Sequence, residues 1–270
     1  MAREAVERGA DLILAAGGDG TINEVVNGMA GSKVPLGILP AGTANVLANE
    51  LGIPTNMERA AKALLQCVPE RVSLGLLSTA LGDTPRYFLL MAGAGLDAEI
   101  VYHLNGRLKD AIGKVAYWIA GLSRFGRSLP EFTIETESGA YRASFALVSR
   151  VRNYGGDLEI APSISMLEEE FEVVLFEGSS TLPYMKYILG VLARRADRMR
   201  GITIFRTRKA LFTGAEQGRV YVQIDGESGG VIPASVELVP SALTLLMPPD
   251  FRVRRPARAE DPAWTTLPTR

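Results

Sequence analysis

Residues 11–24 read Asp11-Leu12-Ile13-Leu14-Ala15-Ala16-Gly17-Gly18-Asp19-Gly20-Thr21-Ile22-Asn23-Glu24, and they are the most informative stretch of the chain. It opens with a short apolar run that stops at two glycines, and apolar residues then recur at helical spacing through Met29. The pattern predicts a strand, a glycine turn and a helix. Backbone N–H groups in such a turn can approach a phosphate closely, and the N-terminus of the following helix favours negative charge. We therefore expect a phosphate site here, with an ordinary capped strand–turn–helix as the alternative.

Asp19 is the unusual residue of this turn, because a carboxylate repels a bare phosphate. Holding Mg²⁺ or accepting a proton would explain a carboxylate at that place. On the predicted helix, Thr21, Glu24 and Gly28 share one face, opposite the apolar residues.

A second segment of the same kind follows directly. Residues 35–40 form a short apolar run typical of a buried strand, and Ala41-Gly42-Thr43-Ala44-Asn45 then turns into a predicted helix over residues 46–51. In an open parallel sheet, such turns lie side by side at the carboxyl ends of the strands, where ligands bind. The two turns are therefore expected to form one site.

Together the two segments resemble the diacylglycerol kinase catalytic family, which includes bacterial lipid kinases and sphingosine kinases. The resemblance spans roughly residues 1–250, and it rests on the order and spacing of several motifs rather than on any one of them. The matching stretches are Gly17-Gly18-Asp19-Gly20-Thr21 with Glu24, Asn27 and Gly28, then Pro40-Ala41-Gly42-Thr43-Ala44-Asn45, Leu51-Gly52-Ile53-Pro54, Gly95-Leu96-Asp97-Ala98, Tyr154-Gly155-Gly156 with Ala161-Pro162, and Gln223-Ile224-Asp225-Gly226-Glu227.

Composition excludes several classes of protein. The formal net charge of −1 argues against a nucleic-acid binder that relies on bulk positive charge. The single cysteine, Cys67, excludes an intramolecular disulfide and fits a reducing cytoplasm, and it is expected to pack on a helix over residues 56–68. The lone His103 leaves little room for a histidine-based metal site or triad. No apolar run reaches the length of about 18 residues that a membrane span needs.

The pattern along the chain changes near residue 70. Residues 1–69 alternate helices and strands, which predicts a parallel α/β layer, and Thr55 with Glu58 reads as a capping box for its last helix. Residues 70–251 are dominated by short β-type runs, interrupted by predicted helices over 107–125 and 182–195, which favours a β-sandwich. Residues 252–270 read as a flexible tail. The resemblance implies the same fold: an α/β nucleotide-binding domain of the NAD kinase/diacylglycerol kinase-like type, then a β-rich sandwich domain.

The resemblance also implies a segment upstream of residue 1. Members of the family carry about 40 to 60 residues there, judged against ordinary domain sizes, with a first strand and an Asn-Pro turn that contacts the nucleotide. We therefore expect an N-terminally truncated nucleotide-binding domain, an exposed sheet edge and weakened nucleotide binding.

The resemblance assigns the transfer chemistry to two carboxylates. Asp225 and Glu227 follow a predicted strand over residues 220–224, where residues two apart in an extended segment point to the same side. In the bacterial branch the aspartate that matches Asp225 is the proposed general base. Glu227 would orient Asp225 or help to position Mg²⁺. In the sphingosine kinase branch the base is the aspartate of the glycine turn, here Asp19. We prefer Asp225 as the base and Asp19 as the Mg²⁺-linked residue. The residues expected to hold the nucleotide are Gly17, Gly18, Asp19, Gly20, Thr21, Glu24, Gly42, Thr43 and Asn45.

Two further carboxylates are candidate metal ligands, alongside Asp19. Asp97 lies in a glycine-rich segment and is expected to face the cleft between the domains, with a helix N-cap as the alternative. Glu168 matches the place of a second, structural Mg²⁺ in bacterial relatives, although the run Glu168-Glu169-Glu170 lacks their glycine and also reads as a solvated acidic loop. Arg150 and Arg152 are candidate partners for phosphate charge. Val46 replaces an aspartate that many members carry.

The sequence therefore predicts an ATP- and Mg²⁺-dependent lipid kinase that phosphorylates a hydroxyl of diacylglycerol or a related lipid. Such an enzyme would be cytoplasmic and would work at the membrane surface, without a transmembrane segment and without nucleic acid; a homodimer is left open. Two alternatives remain. One is an NAD kinase-like small-molecule kinase, and the other is a catalytically impaired, truncated homologue that binds lipid.

Overall fold

The computed structural model describes residues 1–80, 84–103, 129–155, 158–179, 182–192, 199–214 and 219–254. Its first part alternates helices and strands as the sequence predicts. The order is α1 (Ala2–Glu7), β1 (Ile13–Gly17), α2 (Asp19–Met29), β2 (Pro35–Pro40), α3 (Val46–Leu51) and α4 (Met57–Leu64). Strands β1 and β2 are parallel, with Gly17 opposite Pro40. Each strand therefore ends at the same edge of the sheet, immediately before one of the two glycine turns.

The rest of the chain is mostly β-structure. Strands β3 (Val68–Thr79), β4 (Arg86–Phe88) and β5 (Met91–Gly95) precede α5 (Leu96–His103). The remaining elements are β6 (Phe132–Thr136), β7 (Gly139–Ala143), β8 (Phe145–Ser149), β9 (Asn153–Tyr154), β10 (Leu158–Glu159), β11 (Phe171–Phe176), α6 (Leu182–Leu192), β12 (Ile202–Thr207), β13 (Lys209–Thr213), β14 (Tyr221–Ile224), β15 (Glu227–Val231), β16 (Ala234–Met247) and α7 (Phe251–Arg254).

Two large sheets organise these strands. Within the described residues, one sheet has eight strands in the path β1-β2-β16-β13-β6-β7, with β3 paired to β16 and β4 paired to β3. The other has six strands in the order β12-β11-β8-β5-β14-β15. The predicted fold class, an α/β layer followed by a β-sandwich, is confirmed.

Strand β16 joins the two parts of the molecule. It pairs antiparallel with β3 from Ala234 to Met247, and near its end Thr244 and Leu245 also pair with the parallel strand β2. The sequence predicts two separate strands here, over residues 236–239 and 243–247. They are one strand with a register shift, in which Ser241 takes a positive φ of 48°. The α/β layer and the sandwich therefore share a continuous sheet.

The core explains why some strands read as unbroken apolar runs. All residues of β8 and of β11 are buried. Ala146 and Val148 belong to the core between the two sheets, whereas Phe145 and Leu147 belong to the core on the opposite face of the six-stranded sheet. Helix α6 contributes Tyr184 and Tyr187 to that opposite face. A strand covered on both faces has no solvent side, so it shows no polar alternation.

Several local predictions differ from the structure. The N-cap of α4 is Asn56, whose side chain accepts from the Arg59 N–H at 3.0 Å, rather than Thr55. The helix ends at Leu64, so Cys67 lies beyond it, with its thiol donating to the Ala63 carbonyl. The sequence predicts strands over residues 71–77, 87–92, 131–135, 143–149, 171–176, 202–206, 220–224, 236–239 and 243–247. Strands β7, β9, β10, β13 and β15 were therefore not predicted. The predicted helix over residues 107–125 and most of the predicted tail lie outside the described residues.

Membrane-spanning helices are not found in the described part of the chain: none of its helices combines the length and the apolar character that crossing a bilayer requires.

Candidate active site

The two glycine turns lie in direct backbone contact. A Cβ added to Gly42 would come 2.5 Å from the Cα of Gly18, and one added to Gly18 would come 3.2 Å from the Cα of Gly42. The Ala41 N–H donates to the Gly17 carbonyl at 3.0 Å. Neither glycine tolerates a side chain without moving a backbone, so the sequence requirement for glycine is steric. The expected site formed from both turns is therefore compact, with exposed backbone along its rim.

The Asp19 side chain connects the first turn to α3, the helix that follows the second turn, by hydrogen bonds. Its Oδ2 accepts from the Val46 N–H at 3.0 Å and its Oδ1 from the Leu47 N–H at 3.1 Å. These are the first two N–H groups of α3, which have no partner within the helix. A carboxylate with about four lone-pair sites keeps two of them after these bonds. Asp19 thus has a structural role and also remaining capacity for a cation or a proton.

The second turn is closed by its own asparagine. Asn45 is buried, has a positive φ of 46°, accepts from the Gly42 N–H at 2.9 Å and donates to the Gly42 carbonyl at 2.7 Å. The amide of Asn45 is thus already hydrogen-bonded within the turn. A contact between Asn45 and a nucleotide stays a prediction. Thr43 is exposed on the same turn, and Thr21 is exposed against Gly17.

Asp225 and Gly226 form the turn of a hairpin, which the sequence interpretation missed. Ile224 is paired with Glu227 across β14 and β15, and the two residues between them have φ values of 48° and 83°. The expectation that Asp225 and Glu227 lie in one extended segment is therefore wrong. Asp-Gly between two β-runs is itself the signal of such a two-residue turn. The turn sends the two carboxylates to different partners.

The Asp225 carboxylate is buried and accepts four hydrogen bonds. Oδ1 accepts from the N–H groups of Leu90 at 3.0 Å and Met91 at 2.8 Å, and Oδ2 accepts from the Leu89 N–H at 2.9 Å and from Asn23 Nδ2 at 2.7 Å. Desolvation by burial raises the pKa of Asp225 from 3.8 to about 6, although these four bonds act in the opposite direction. A carboxyl group with a pKa near neutrality is suited to proton transfer.

Two asparagines of α2 connect the hairpin to the first glycine turn. Asn23 is buried, and besides Asp225 it donates to the Tyr87 carbonyl at 3.1 Å. Asn27 forms a pair of 2.8 Å bonds with the backbone N–H and carbonyl of Tyr87. Asn27 is one of the motif residues on which the resemblance to the family rests. The importance of Asn23 was not predicted from the sequence. The available signal was an amide between the apolar positions Ile22 and Val26 of the helix.

Glu227 and Glu24 share one arginine. Arg86 Nη2 lies 2.8 Å from Glu24 Oε1 and 3.1 Å from Glu227 Oε2. The other oxygen of Glu227 faces the first turn of α2, because a Cβ added to Gly20 would lie 2.6 Å from Oε1. Gly28, in contrast, contacts α1, since its added Cβ would lie 2.9 Å from the Cβ of Ala2. The structure thus brings Glu24 and Glu227 together beside the glycine turn.

The predicted metal ligands do not all come together. Asp97 lies in the first turn of α5, and its side chain is outside the described parts. Glu168 forms an ion pair with Arg206, and both side chains are largely buried. Among the described residues there is no group of three or more acidic, cysteine or histidine residues that could hold a metal ion. A metal at Glu168 stays a prediction, and the arginine beside that carboxylate argues against it.

Arg150 does not line the site. It is fully buried, and its guanidinium donates to the carbonyls of Met166, Glu168 and Glu170. Burial lowers the pKa of Arg150 to about 10. Arg152 donates from Nε to the Ile164 carbonyl at 3.0 Å. Both arginines hold the loop before β11, so the prediction that they neutralise phosphate charge is wrong for Arg150.

The site can nevertheless hold the groups that phosphoryl transfer needs. Two glycine turns at the carboxyl ends of parallel strands offer backbone N–H groups to phosphates, as the N-terminus of α2 does. Mg²⁺ usually binds through one or two carboxylates together with substrate phosphates, and Asp19 is a carboxylate of that kind. The combination of an α/β layer, a β-sandwich and a carboxylate hairpin beside the turns defines a phosphotransferase of the kinase type.

Comparison with known proteins agrees with this class. Residues 1–77 match the diacylglycerol kinase catalytic domain, and residues 91–247 match the YegS C-terminal NAD kinase beta sandwich-like domain. The chain therefore belongs to the diacylglycerol kinase catalytic-domain family. It is 29% identical over 253 residues to a diacylglycerol kinase of Bacillus subtilis strain 168, covering 92% of this chain and 81% of that one. It is 28% identical over 249 residues to a diacylglycerol kinase of Mycobacterium tuberculosis strain H37Rv, covering 90% and 79%.

Solved structures show the same fold. A putative diacylglycerol kinase from Bacillus anthracis str. Sterne superposes with a TM-score of 0.76 at 23% identity, covering 93% of this chain and 82% of that chain. A yeast NADH kinase complexed with NADH superposes with a TM-score of 0.50 at 12% identity, covering 91% of this chain and 64% of the other. The predicted membership of the family and the predicted fold are confirmed.

Proposed function

We propose that the protein is an ATP-dependent lipid kinase that transfers the γ-phosphate to a hydroxyl of diacylglycerol or a related lipid. One observation carries this proposal: Gly18 and Gly42 bring the two glycine turns into backbone contact, and the Asp225 carboxylate is bonded to Asn23 on the helix that starts at the first of these turns. A phosphate cradle and a buried carboxylate are thus fixed to the same helix. The diacylglycerol kinases among the relatives support the choice of acceptor.

The cradle would hold the nucleotide through backbone groups. Gly17, Gly18, Gly20 and Thr21 of the first turn, with Gly42 and Thr43 of the second, are the proposed nucleotide-binding positions, together with Glu24 and Asn45. Bound Mg²⁺ would neutralise phosphate charge during transfer. Asp19 is the proposed metal-linked residue, because it has acceptor capacity left after capping α3.

Asp225 is the proposed general base, and its contacts suggest how an acceptor would reach it. All of its roughly four lone-pair sites are occupied, three of them by backbone N–H groups that the fold holds in place. The fourth donor is the Asn23 amide, which belongs to a side chain and is therefore the one donor that a substrate could displace without moving the backbone. In the proposed reaction the substrate hydroxyl takes the place of the Asn23 amide at Oδ2 and gives its proton to Asp225 while its oxygen attacks the γ-phosphorus. The bond between the γ-phosphorus and the β–γ bridging oxygen breaks as the new bond forms, and ADP leaves.

Asp19 is the alternative base, as in the sphingosine kinase branch, because each of its oxygens has only one backbone donor. The two assignments predict different losses. If Asp225 is the base, Asp225→Asn loses turnover but still binds Mg²⁺-ATP. If Asp19 is the base, Asp19→Asn has that phenotype and Asp225→Asn keeps turnover near the wild-type rate. Asp97 as a metal ligand also remains a proposal, whereas the ion pair of Glu168 with Arg206 argues against a metal at Glu168.

The activity is tested with radiolabelled ATP and Mg²⁺, offering dioleoylglycerol in mixed micelles or NAD in solution. Transfer to the lipid but not to NAD supports the proposal. Transfer to NAD alone would establish the NAD kinase-like alternative. ATP binding by calorimetry with no transfer to any lipid hydroxyl would indicate the non-catalytic alternative. A lipid acceptor also places the reaction at a membrane surface, and that part is tested by the dependence of the rate on the mole fraction of lipid. A cytoplasmic location and a homodimer stay predictions.

A further inference from the structure

Residues 86–91 connect the hairpin to helix α2, residue by residue. Arg86 contacts Glu24 and Glu227, the Tyr87 backbone contacts Asn23 and Asn27, and the three residues from Leu89 to Met91 donate to Asp225. The backbone contacts of this segment have an evident role, since they fix the hairpin. The Arg86 side chain, in contrast, has no role in the proposed reaction as described above.

Arg86 sits between two carboxylates that would otherwise repel each other. Its Nη2 contacts both Glu24 and Glu227, and the side chain is 33% exposed, compared with 66% for Glu24 and 40% for Glu227. Arg86 belongs to β4, Glu24 to α2 and Glu227 to β15, so three elements meet at one guanidinium. Its Nε and Nη1 carry three more N–H donors, beyond the two contacts made by Nη2.

The two oxygens of Glu227 have different surroundings. Oε2 is held at 3.1 Å from Nη2, and Oε1 is then directed at Gly20, where the added Cβ would lie only 2.6 Å away. Gly20 lies in the first turn of α2, beside the proposed phosphate cradle. Among the described residues, Arg86 is the ion-pair partner of Glu227. Without its guanidinium, the Glu24 carboxylate would repel the Glu227 carboxylate.

We propose that Arg86 is a positioning residue: it fixes the Glu227 carboxylate against Gly20 and neutralises the Glu24–Glu227 pair so that nucleotide phosphates can approach. This inference rests on the proposed function. It has two measurable consequences. Loss of Arg86 slows transfer through Glu227, and loss of Arg86 weakens ATP binding through the two unneutralised carboxylates. A residue that only supported the fold would produce neither relation to Glu227.

The test compares Arg86→Gln, Glu227→Gln and the double variant. We expect Arg86→Gln to lower kcat about tenfold, less than the roughly hundredfold loss that a 1 Å misplacement in an active site can cause. The double variant should be no slower than Glu227→Gln alone, because Arg86 acts through Glu227. For ATP, measured by calorimetry with Mg²⁺, Arg86→Gln should raise Kd by up to about fivefold, as suits a partly exposed charge pair. Adding Glu227→Gln should restore most of that affinity.

Three further variants show whether an effect is specific to the Arg86 guanidinium. Arg252→Gln also removes an arginine from an exposed pair, with Glu70 of β3, and should leave kcat and the Kd for ATP unchanged. Arg86→Lys keeps the charge but not the planar fork and should show an intermediate loss. If Arg86→Ala folds, guanidinium ion should partly restore its turnover. Melting temperatures of all variants exclude unfolding as the cause.

The outcomes separate the two proposals. If wild-type enzyme phosphorylates lipid while Arg86→Gln stays within twofold in kcat and Kd, the inference about Arg86 is wrong and the proposed function stands. Multiplicative losses in the double variant would also overturn it. If wild-type protein binds ATP but phosphorylates no lipid, the proposed function fails, and the ATP affinities alone decide the role of Arg86. Absence of ATP binding by the wild-type protein would overturn both.

Discussion

The Nδ2 atom of Asn23 lies 2.7 Å from Oδ2 of Asp225, although the two residues are 202 positions apart in the chain. Asn23 belongs to the helix that begins at the first glycine turn, and Asp225 belongs to the turn of the β14–β15 hairpin. This single bond therefore ties the proposed phosphate cradle to the proposed base. Its contribution can be measured directly.

An Asn23→Ala variant should unfold more easily than the wild-type protein. The change removes one of four donors from a buried carboxylate and also the bond to the Tyr87 carbonyl. We expect a loss of about 2 kcal/mol in the free energy of unfolding, the usual size for a hydrogen bond to a charged group. Urea denaturation gives the value. Asn49→Ala is the control, because its exposed amide donates only to the Ala44 carbonyl at 3.0 Å; an equal loss in both variants would contradict the assigned role.

A Gly42→Ala variant should lose nucleotide binding. The added Cβ would come 2.5 Å from the Cα of Gly18, and because both atoms belong to the backbone of tight turns, the turns must separate. We expect the affinity for Mg²⁺-ATP to fall at least about tenfold, a loss of about 1.4 kcal/mol. Calorimetry measures it. Ala41→Ser, an exposed change in the same turn that leaves the glycine contact intact, should bind ATP as the wild-type protein does. Unchanged affinity in Gly42→Ala would show that the contact between turns does not shape the cradle.

What the sequence could predict is set by distance along the chain. The two strand–turn–helix units are local patterns, and both were predicted because their glycines and apolar spacing lie within about 30 residues. The Asp225-Gly226 turn is equally local, and Asp-Gly between two β-type runs predicts a two-residue hairpin, so the extended interpretation of this segment was wrong. The bond between Asn23 and Asp225 depends on the pairing of β14 with β5, which no local pattern encodes. Arg150 was misplaced because arginine is rarely fully buried.

The stability of the protein should depend on the ionisation of Asp225. Burial raises its pKa in the folded state to about 6, above the ordinary value of 3.8, so the folded protein binds this proton more tightly than the unfolded chain does. The resulting stabilisation is present at low pH and is lost as the pH rises through about 6. Between pH 4.5 and 7.5 we expect the wild-type protein to lose about 2 kcal/mol of unfolding free energy relative to Asp225→Asn.

Paired urea titrations of the wild-type protein and Asp225→Asn at both pH values give this difference directly. Taking the difference cancels the groups that titrate in both proteins. A difference that does not change with pH would mean that the four hydrogen bonds to the carboxylate outweigh its desolvation, so that Asp225 stays ionised across the whole range. In that case Asp19 would become the preferred candidate for the base.

The region around Glu168 should not need a metal ion for stability. Glu168 is 12% exposed and is paired with Arg206, which is 18% exposed and also donates to the Ser163 carbonyl at 2.6 Å. A guanidinium already supplies the positive charge that a structural Mg²⁺ would bring. In the absence of nucleotide, EDTA should therefore leave the melting temperature within about 1 °C of its value in Mg²⁺, which corresponds to a few tenths of a kcal/mol at this chain length.

Variants of two neighbouring glutamates separate the ion pair from a metal site. Glu168→Gln should lower the free energy of unfolding by about 2 kcal/mol, because it removes the nearer of the two carboxylates that pair with a largely buried arginine and leaves Glu172 at 3.9 Å. Glu169→Gln is the matched control: its pair with Arg208 spans 3.7 Å and is about half exposed, so less than about 0.5 kcal/mol is expected. A fall in melting temperature on adding EDTA to the wild-type protein, absent in Glu168→Gln, would instead establish a cation bound at Glu168. The ion pair with Arg206 would then have to open to admit that cation.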